Sequence, residues 1–269
     1  MLLTDKVVIV TGAGGGLGAG IARVCSREGA NVLVADIRGD AAQALAESLP
    51  CPALGLGVAC DVGDDDAQAR LVEQAVAHFG RIDGLVNNAG INFAKPFLDT
   101  TEAEWERIIR VDLRAVFFLS QKVCRQMLAQ SQPGGSIVNI SSVHSQAALP
   151  GAGPYDAAKG GVVAMGKSLA VELAPLGIRV NAISPGLLNT QIWQDIQDAA
   201  PSAEECLAYW KSNIPIGRVI ETEEIGELAA FLLSPRSSSI TGANIFADGG
   251  MTAQLISKEP YLSKALEGK

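Results

Sequence analysis

The β-branched run Lys6–Val10 stops abruptly at Thr11-Gly12-Ala13-Gly14-Gly15-Gly16-Leu17-Gly18, and a helical pattern follows from Ile21 to Glu28. A short apolar run of this kind reads as a buried strand. Strand, glycine turn and helix in that order constrain everything downstream. Glycine bends the backbone sharply and lets it approach a ligand closely, and the helix that follows opens with backbone N–H groups lacking partners. Such a terminus can hold a pyrophosphate. A glycine turn alone is common in α/β loops; the strand before it and the helix after it are the context a dinucleotide site requires. Gly12, Gly14, Gly15, Gly16, Leu17 and Gly18 are therefore candidate cofactor contacts.

A second strand, Asn31 to Asp36, ends in a carboxylate 18 residues after Gly18. An aspartate there accepts hydrogen bonds from both ribose hydroxyls of an adenosine and repels a 2′-phosphate, which selects NAD over NADP. Neither Gly15 nor Ile37 offers a cation to such a phosphate, although Arg38 follows two positions on. The pattern then reads helix (39–49), strand (54–60) delivering Asp61-Val62, and a helix to Phe79 with Asp64-Asp65-Asp66 in its first turn, where the helix dipole favours acids. Strand 84–87 leads into Asn88-Ala89-Gly90, and adjacent asparagines can stitch a loop with side-chain to backbone bonds. Thr101 and Glu104 form a capping box for a helix expected to run unbroken to about Met127, with Trp105 in the core or an interface. Strand 136–140 delivers Ser142; a helix runs from the Pro154 region to Leu173; strand 178–183 leads to Pro185-Gly186-Leu187-Leu188-Asn189-Thr190. A mixed segment with Trp193, Tyr209 and Trp210 is a candidate lid, placed at 187–215. Helix 222–233 and strand 242–248 complete the pattern.

Strands alternating with helices predict an α/β fold, a parallel sheet covered on both faces with its site at the C-terminal strand edge. All the segments singled out above fall at that edge. The 269 residues suit one large domain,, assigned to 1–250 with a C-terminal tail at 251–269. A net charge of −8 without a basic run argues against a nucleic-acid partner. Five scattered cysteines match neither a disulfide framework nor a metal site. No apolar run approaches the roughly 18 residues that a membrane span needs, and the first residues run straight into a strand rather than a signal peptide. A cytoplasmic location is the expectation.

Ser142, Tyr155 and Lys159 carry the chemistry. Residues four apart on a helix share a face, so Tyr155 and Lys159 project together, and Pro154 suits the first turn of that helix. A free phenol titrates near ~10; an ammonium beside it favours the phenolate. A tyrosine so placed can take a proton from an alcohol or return one to a carbonyl oxygen, while Ser142 holds the same oxygen.

With these residues in place, the chain resembles the short-chain dehydrogenase/reductase family over Lys6 to Gly250. The match lies in T-G-x-x-x-G-x-G at 11–18, Asp61-Val62, N-N-A-G at 87–90, the Ser142/Tyr155/Lys159 set, P-G-x-x-x-T at 185–190 and D-G-G at 248–250. The resemblance implies a single Rossmann-like, doubly wound domain with a seven-stranded sheet. It implies Tyr155 as general acid/base, Ser142 on the substrate oxygen, and Lys159 both beside Tyr155 and on the nicotinamide ribose. It also places Asp61 and Val62 at the adenine, Asn88, Ala89 and Gly90 along the cofactor, and Ile183, Pro185, Gly186, Leu188 and Thr190 toward the nicotinamide end. A homotetramer is implied as well.

One position departs from the family. Asp112 stands where an asparagine commonly seats a water that relays protons from the lysine; a carboxylate accepts hydrogen bonds but donates none. The relay is expected to survive with Asp112 as acceptor. For the substrate, the loop from His144 to Gly153 and the lid are expected to line the pocket; Asn92, His144, Gln146, Leu187 and Trp193 are candidate contacts, with Phe93, Ser145 and Asn189 nearby and His144 expected to be satisfied by backbone. The polar set resembles that of sugar and polyol dehydrogenases. Oxidation of a small polyol or sugar is the resulting expectation; 3-oxoacyl-thioester reduction, a hydroxysteroid-type activity and a non-catalytic NAD sensor are the alternatives.

Overall fold

Strand β1 (Val7–Thr11) is buried along its whole length, as a central parallel strand covered on both faces must be. The computed structural model describes residues 1–51 and 55–255. Within it β1 lies between β2 (Asn31–Asp36) and β4 (Gly84–Asn87). The full sheet is parallel and seven-stranded, in the order β3-β2-β1-β4-β5-β6-β7, with β3 at Gly55–Ala59, β5 at Gly135–Ile140, β6 at Ile178–Pro185 and β7 at Asn244–Ala247. The doubly wound α/β expectation is borne out. Chain order reverses direction between β1 and β4, and a crevice opens there at the strand ends.

Side chains alternate across a strand, and the two cores follow from that. Val8 and Val10 of β1 join α1 (Gly16–Arg27), α2 (Gly39–Ser48) and α9 (Thr222–Leu233) on one face. Ile9 joins α3 (Asp65–Phe79), α5 (Ala115–Ala129) and the end of α6 (Gly153–Leu173) on the other.

Several boundaries differ from the sequence pattern, each for a physical reason. Helix α1 begins at Gly16 rather than near Ile21. Its early residues are glycines, weak helix formers, and they serve packing: a Cβ on Gly20 would lie 2.5 Å from Thr222 Oγ1 of α9. The helix after β4 is unbroken from Glu102 to Ala129, as expected, but contains a π-turn that the pattern does not show. It comprises α4 (Glu102–Ile109), a π-turn over Arg110–Arg114, and α5. The capping box at Thr101/Glu104 is present, but Trp105 is 42% exposed rather than in the core. Strand β6 extends to Pro185, which buries Ile183 completely. The segment read as a lid forms two helices, α7 (Gln191–Ala199) and α8 (Ala203–Asn213). The tail beyond Leu255 lies outside the described residues, as does Leu54 at the expected start of β3.

None of the five cysteines is bonded to another. Burial, with the nearby Glu28 charge adding to it, pushes the Cys25 thiol up to about 12; burial foremost pushes Cys60 and Cys124 up to about 11. The thiolate is the reactive form. In the native protein a thiol reagent at pH 8 should therefore label the half-buried Cys51 and Cys206 at least tenfold faster than the other three. Mass-spectrometric mapping checks this, and equal labelling of all five would contradict it.

Candidate active site

The glycine turn is tied to the end of β4 by a single asparagine. Asn88 Nδ2 donates to the carbonyls of Thr11 (2.9 Å) and Gly12 (3.0 Å), while the backbone N–H groups of Asn88 and Ala89 donate to Thr11 Oγ1. Gly18 makes this possible: a Cβ there would sit 2.4 Å from the Gly12 carbonyl oxygen and 2.6 Å from Asn88 Nδ2. Asn87 ends β4, as expected, and its buried side chain donates to Ser120 Oγ and Asn139 Oδ1 rather than to the loop. Its side chain points to the opposite side of the strand from that of Asn88, as strand alternation requires.

At the end of β2, Asp36 is almost fully buried. Its Oδ2 accepts the Gly14 N–H at 2.9 Å. Its Oδ1 accepts the Arg38 N–H at 3.0 Å and lies 3.5 Å from Arg38 Nε. One carboxylate thus braces the glycine turn and holds the nearest guanidinium. Gly15 and Gly16 remain open: a Cβ on either would meet nothing nearer than 3.5 Å. No side chain caps the start of α1, so its first N–H groups are available to an anion. These features fit a dinucleotide pyrophosphate.

Ser142, at the end of β5, and Tyr155, in the first turn of α6, meet in the same place. Ser142 Oγ accepts the His144 N–H at 3.2 Å, which leaves its own hydrogen free to donate. Lys159 is buried one turn after Tyr155, its Nζ 5.4 Å from the centre of the Tyr155 ring. That nitrogen donates to the Ile140 carbonyl at 3.3 Å and pairs with Asp112 Oδ2 at 3.2 Å. Burial acts to lower the lysine's pKa, but the Tyr155 and Asp112 charges outweigh it and raise it above 10.5. Asp112 is 0% exposed, and its Oδ1 accepts the Ile91 N–H at 2.9 Å. The π-turn turns Asp112 inward while Arg110 stays at the surface; such extra-residue turns recur at functional sites. Gly90 leaves the room for this pair, since a Cβ there would lie 2.8 Å from Asp112 Oδ2 and 3.3 Å from Lys159 Nζ.

All these groups open onto one cleft of about 970 Å³. From the glycine end it is lined by Gly12, Gly15, Gly16, Leu17, Asp36, Ile37, Asp61 and Val62, then by Asn88, Ala89, Gly90 and Asp112, then by Ser142, Tyr155, Lys159, Pro185, Leu188 and Thr190. Asn92, His144, Leu187 and Trp193 close the far end. Several residues named from the sequence do not line it. Gly14 backs onto Asp36 and Gly18 onto Gly12; a Cβ on Gly186 would meet Asp248 at 2.9 Å; Gln146 is exposed elsewhere. These glycines serve close packing under the cleft. Ile183 is also absent, for the strand-length reason given above. Asn189 is held by Glu221 through Nδ2, and Ser145 Oγ by the Ser142 carbonyl. The His144 side chain is satisfied not by backbone but by Asp156 Oδ1, 2.5 Å from its Nδ1.

Leu149, from the loop 144–153, and Ile196, from the segment read as a lid, line the cleft as expected, whereas Arg107 and Arg110 were not foreseen there; helical spacing carried a signal for them, since 107, 110 and 111 share a face. Behind the cleft, the D-G-G turn is pinned by Asp248. Burial opposes its charge, but hydrogen bonds from Thr252 and Gly250 outweigh that and hold the carboxyl below the usual range.

Comparison with known proteins agrees with this geometry. Residues 12–252 match a family model described as enoyl-(acyl carrier protein) reductase. The chain is 36% identical over 252 residues to a cyclopentanol dehydrogenase of Comamonas sp., covering 93% of this chain and 98% of that protein. It is 38% identical over 257 residues to a meso-2,3-butanediol dehydrogenase of Serratia marcescens, covering 94% and 97%. A short-chain type dehydrogenase/reductase from Mycobacterium marinum superposes with a TM-score of 0.86 at 33% identity, covering 94% of this chain and 97% of that one. Among the described residues no helix is long and apolar enough to cross a membrane, and no side-chain cluster could hold a metal.

Proposed function

The chain belongs to the short-chain dehydrogenase/reductase family and is an oxidoreductase of CH–OH groups; on that premise we propose that it moves a hydride between NAD(H) and a small secondary polyol or its ketone. The observation that carries this reading is the single cleft with Ser142, Tyr155 and Lys159 at one end and the open glycine turn and Asp36 at the other. Bound NAD would supply the hydride acceptor. Gly15, Gly16 and Leu17 would hold its pyrophosphate, Asp36 its adenosine ribose, and Asp61 and Val62 its adenine.

The protein's own part is proton chemistry and orientation. Ser142 donates its free hydroxyl hydrogen to the substrate oxygen. Tyr155, as phenolate, takes the alcohol proton as general base and returns it in the reverse direction. Lys159 keeps positive charge beside the phenolate in a setting of low dielectric, where it counts for most. Asp112 holds Lys159 in place and accepts hydrogen bonds from the proton route behind it.

The substrate end carries Phe93, Leu149, Leu187, Trp193, Ile196 and Trp210, with few polar groups among them. Together with the commitments of Asn189 and Ser145, this supports a compact alcohol with an apolar body over a sugar. The same wall favours one second reading, a bulkier hydrophobic alcohol of hydroxysteroid type. Exposed apolar residues on α4, α5 and α6, namely Trp105, Phe117 and Val171, support a homotetramer. Five unpaired cysteines support a reducing, cytoplasmic setting.

The test is NADH fluorescence over a panel of small diols, cyclic alcohols, sugars, hydroxysteroids and β-hydroxyacyl thioesters, with NAD and NADP in parallel. The expected result is turnover of small diols or cyclic alcohols with NAD. Turnover confined to thioesters with NADP would overturn the reading. Asp36 sets the cofactor arm: its carboxylate would repel a 2′-phosphate and already engages Arg38. Asp36→Ala should lower the NAD-to-NADP ratio of kcat/KM by tenfold or more, and an unchanged ratio would remove Asp36 from the selection.

A further inference from the structure

The proton chemistry proposed above leaves His144, which lines the cleft, and its partner Asp156 without a task. His144 Nδ1 lies 2.5 Å from Asp156 Oδ1, and the imidazole packs edge-on against the Tyr155 ring, centroids 5.2 Å apart. The turn carrying His144 is itself fixed. The His144 N–H donates to Ser142 Oγ, and Ser145 Oγ donates to the Ser142 carbonyl at 2.8 Å. Asp156 follows Tyr155 directly on α6, so one helix turn positions both the phenol and the imidazole's partner. The ring is thereby held at its backbone, at Nδ1 and at its edge, and it lines the cleft. Its second nitrogen, Nε2, has no partner among the described residues.

A carboxylate accepts and does not donate. In the neutral imidazole the proton therefore sits on Nδ1, and Nε2 is left as a lone-pair acceptor. The geometry points to a built acceptor for a second substrate hydroxyl, one that is not oxidised. This inference rests on the alcohol-dehydrogenase reading of the site and narrows it to a substrate class: alcohols with a neighbouring hydroxyl, preferred over the matched mono-alcohol. The second oxygen must be close to the reacting one, because His144 touches both Ser142 and the Tyr155 ring. Hydroxyls on adjacent carbons satisfy that. Of the neighbouring polar residues, Ser145 and Asn189 do not line the cleft, and the Asn92 Oδ1 already accepts the Phe93 N–H at 2.9 Å. A site that hydrogen-bonds a hydroxyl discriminates against the analogue without it, because a partly buried acceptor is left unpaired. Asp156 is the positioning residue in this scheme and His144 the specificity-determining one.

The test uses the full chain with NAD and a matched pair, vicinal cyclopentanediol and cyclopentanol. The wild type should favour the diol in kcat/KM by about tenfold. His144→Phe, which keeps an aromatic edge against Tyr155, should bring that ratio to near unity, and Asp156→Ala should lower it partway. The chain has two histidines, so two-bond nitrogen–proton correlation spectra assign His144 by its loss in His144→Phe. The wild-type signal should show the proton on Nδ1, and Asp156→Ala should shift it toward Nε2. A diol preference untouched by His144→Phe, or a wild-type proton on Nε2, would overturn the inference. Absence of turnover on both alcohols, with His144 still protonated at Nδ1, would instead refute the alcohol-dehydrogenase reading on which the substrate class depends.

Discussion

Tyr155→Phe should lower turnover by about a hundredfold to ten-thousandfold while cofactor affinity changes by no more than a few-fold. The range is what a positioned general acid/base contributes, and here the replacement removes one oxygen and little else. The ring that stays, now a phenyl, keeps its contact with His144, and Lys159 keeps its ties to Ile140 and Asp112. The glycine turn and Asp36 lie at the other end of the cleft and owe nothing to the hydroxyl. Turnover with the preferred alcohol and NADH binding by fluorescence, measured on the same preparation, separate the two effects. A variant that keeps a tenth or more of the wild-type rate would take Tyr155 out of the proton-transfer role. A variant that loses NADH binding to the same degree as turnover would show a collapsed cleft rather than a missing base. Ser142→Ala belongs beside it as a milder case, since it removes one donor to the substrate oxygen and leaves Tyr155 in place.

The parts of this molecule legible from its residues are those set by local rules. Short apolar, β-branched runs mark the strands, the glycine turn marks the entry to α1, and i, i+4 spacing puts Tyr155 beside Lys159. The parts that were not legible depend on contacts between distant segments. Gly16 to Gly20 read as weak helix because they are, yet the fold makes them helical, with Gly18 packed on Gly12 and Asn88 and Gly20 on Thr222. The sequence from Thr101 to Met127 reads as one helix, and nothing local signals the π-turn at Arg110–Arg114. That turn answers to the burial of Asp112 against Lys159, 47 positions away, which only the folded chain brings together. The substrate end suffered most. Asn189, Ser145 and Gln146 looked like a polar lining, but the fold commits the first two to Glu221 and Ser142 and leaves the third outside. His144 was picked out with the wrong partner, because a residue twelve positions on supplies it through α6.

Asp112→Ala should be among the most destabilising single changes in the chain, by about 3–5 kcal/mol, the usual cost of breaking a buried ion pair from one side. The loss comes less from the missing attraction than from what remains: a Lys159 ammonium in the interior with only a carbonyl and the phenol of Tyr155 for company. Asp112→Asn keeps the volume and can still accept the Ile91 N–H, so it should cost less, and it gives the cleaner readout. With Asp112 in place the folded lysine's pKa stands above 10.5. A group whose pKa is raised on folding binds protons more tightly in the folded state, so its contribution is complete below the unfolded value and is lost as pH rises through the folded one. The wild type should therefore hold its Tm until the solution is more alkaline than about pH 10 and then decline. In Asp112→Asn one of the two charges that raise the lysine is gone, and the alkaline decline should begin at lower pH. Thermal denaturation of both proteins from about pH 7 to 11 decides the matter, with coincident curves denying the pair any part in stability. The activity of the same variant tests the other half of the argument. If Asp112→Asn alters neither rate nor pH profile, the carboxylate is a structural counter-ion alone; if the rate falls while NADH binding persists, the charge that fixes Lys159 also serves the proton route behind Tyr155.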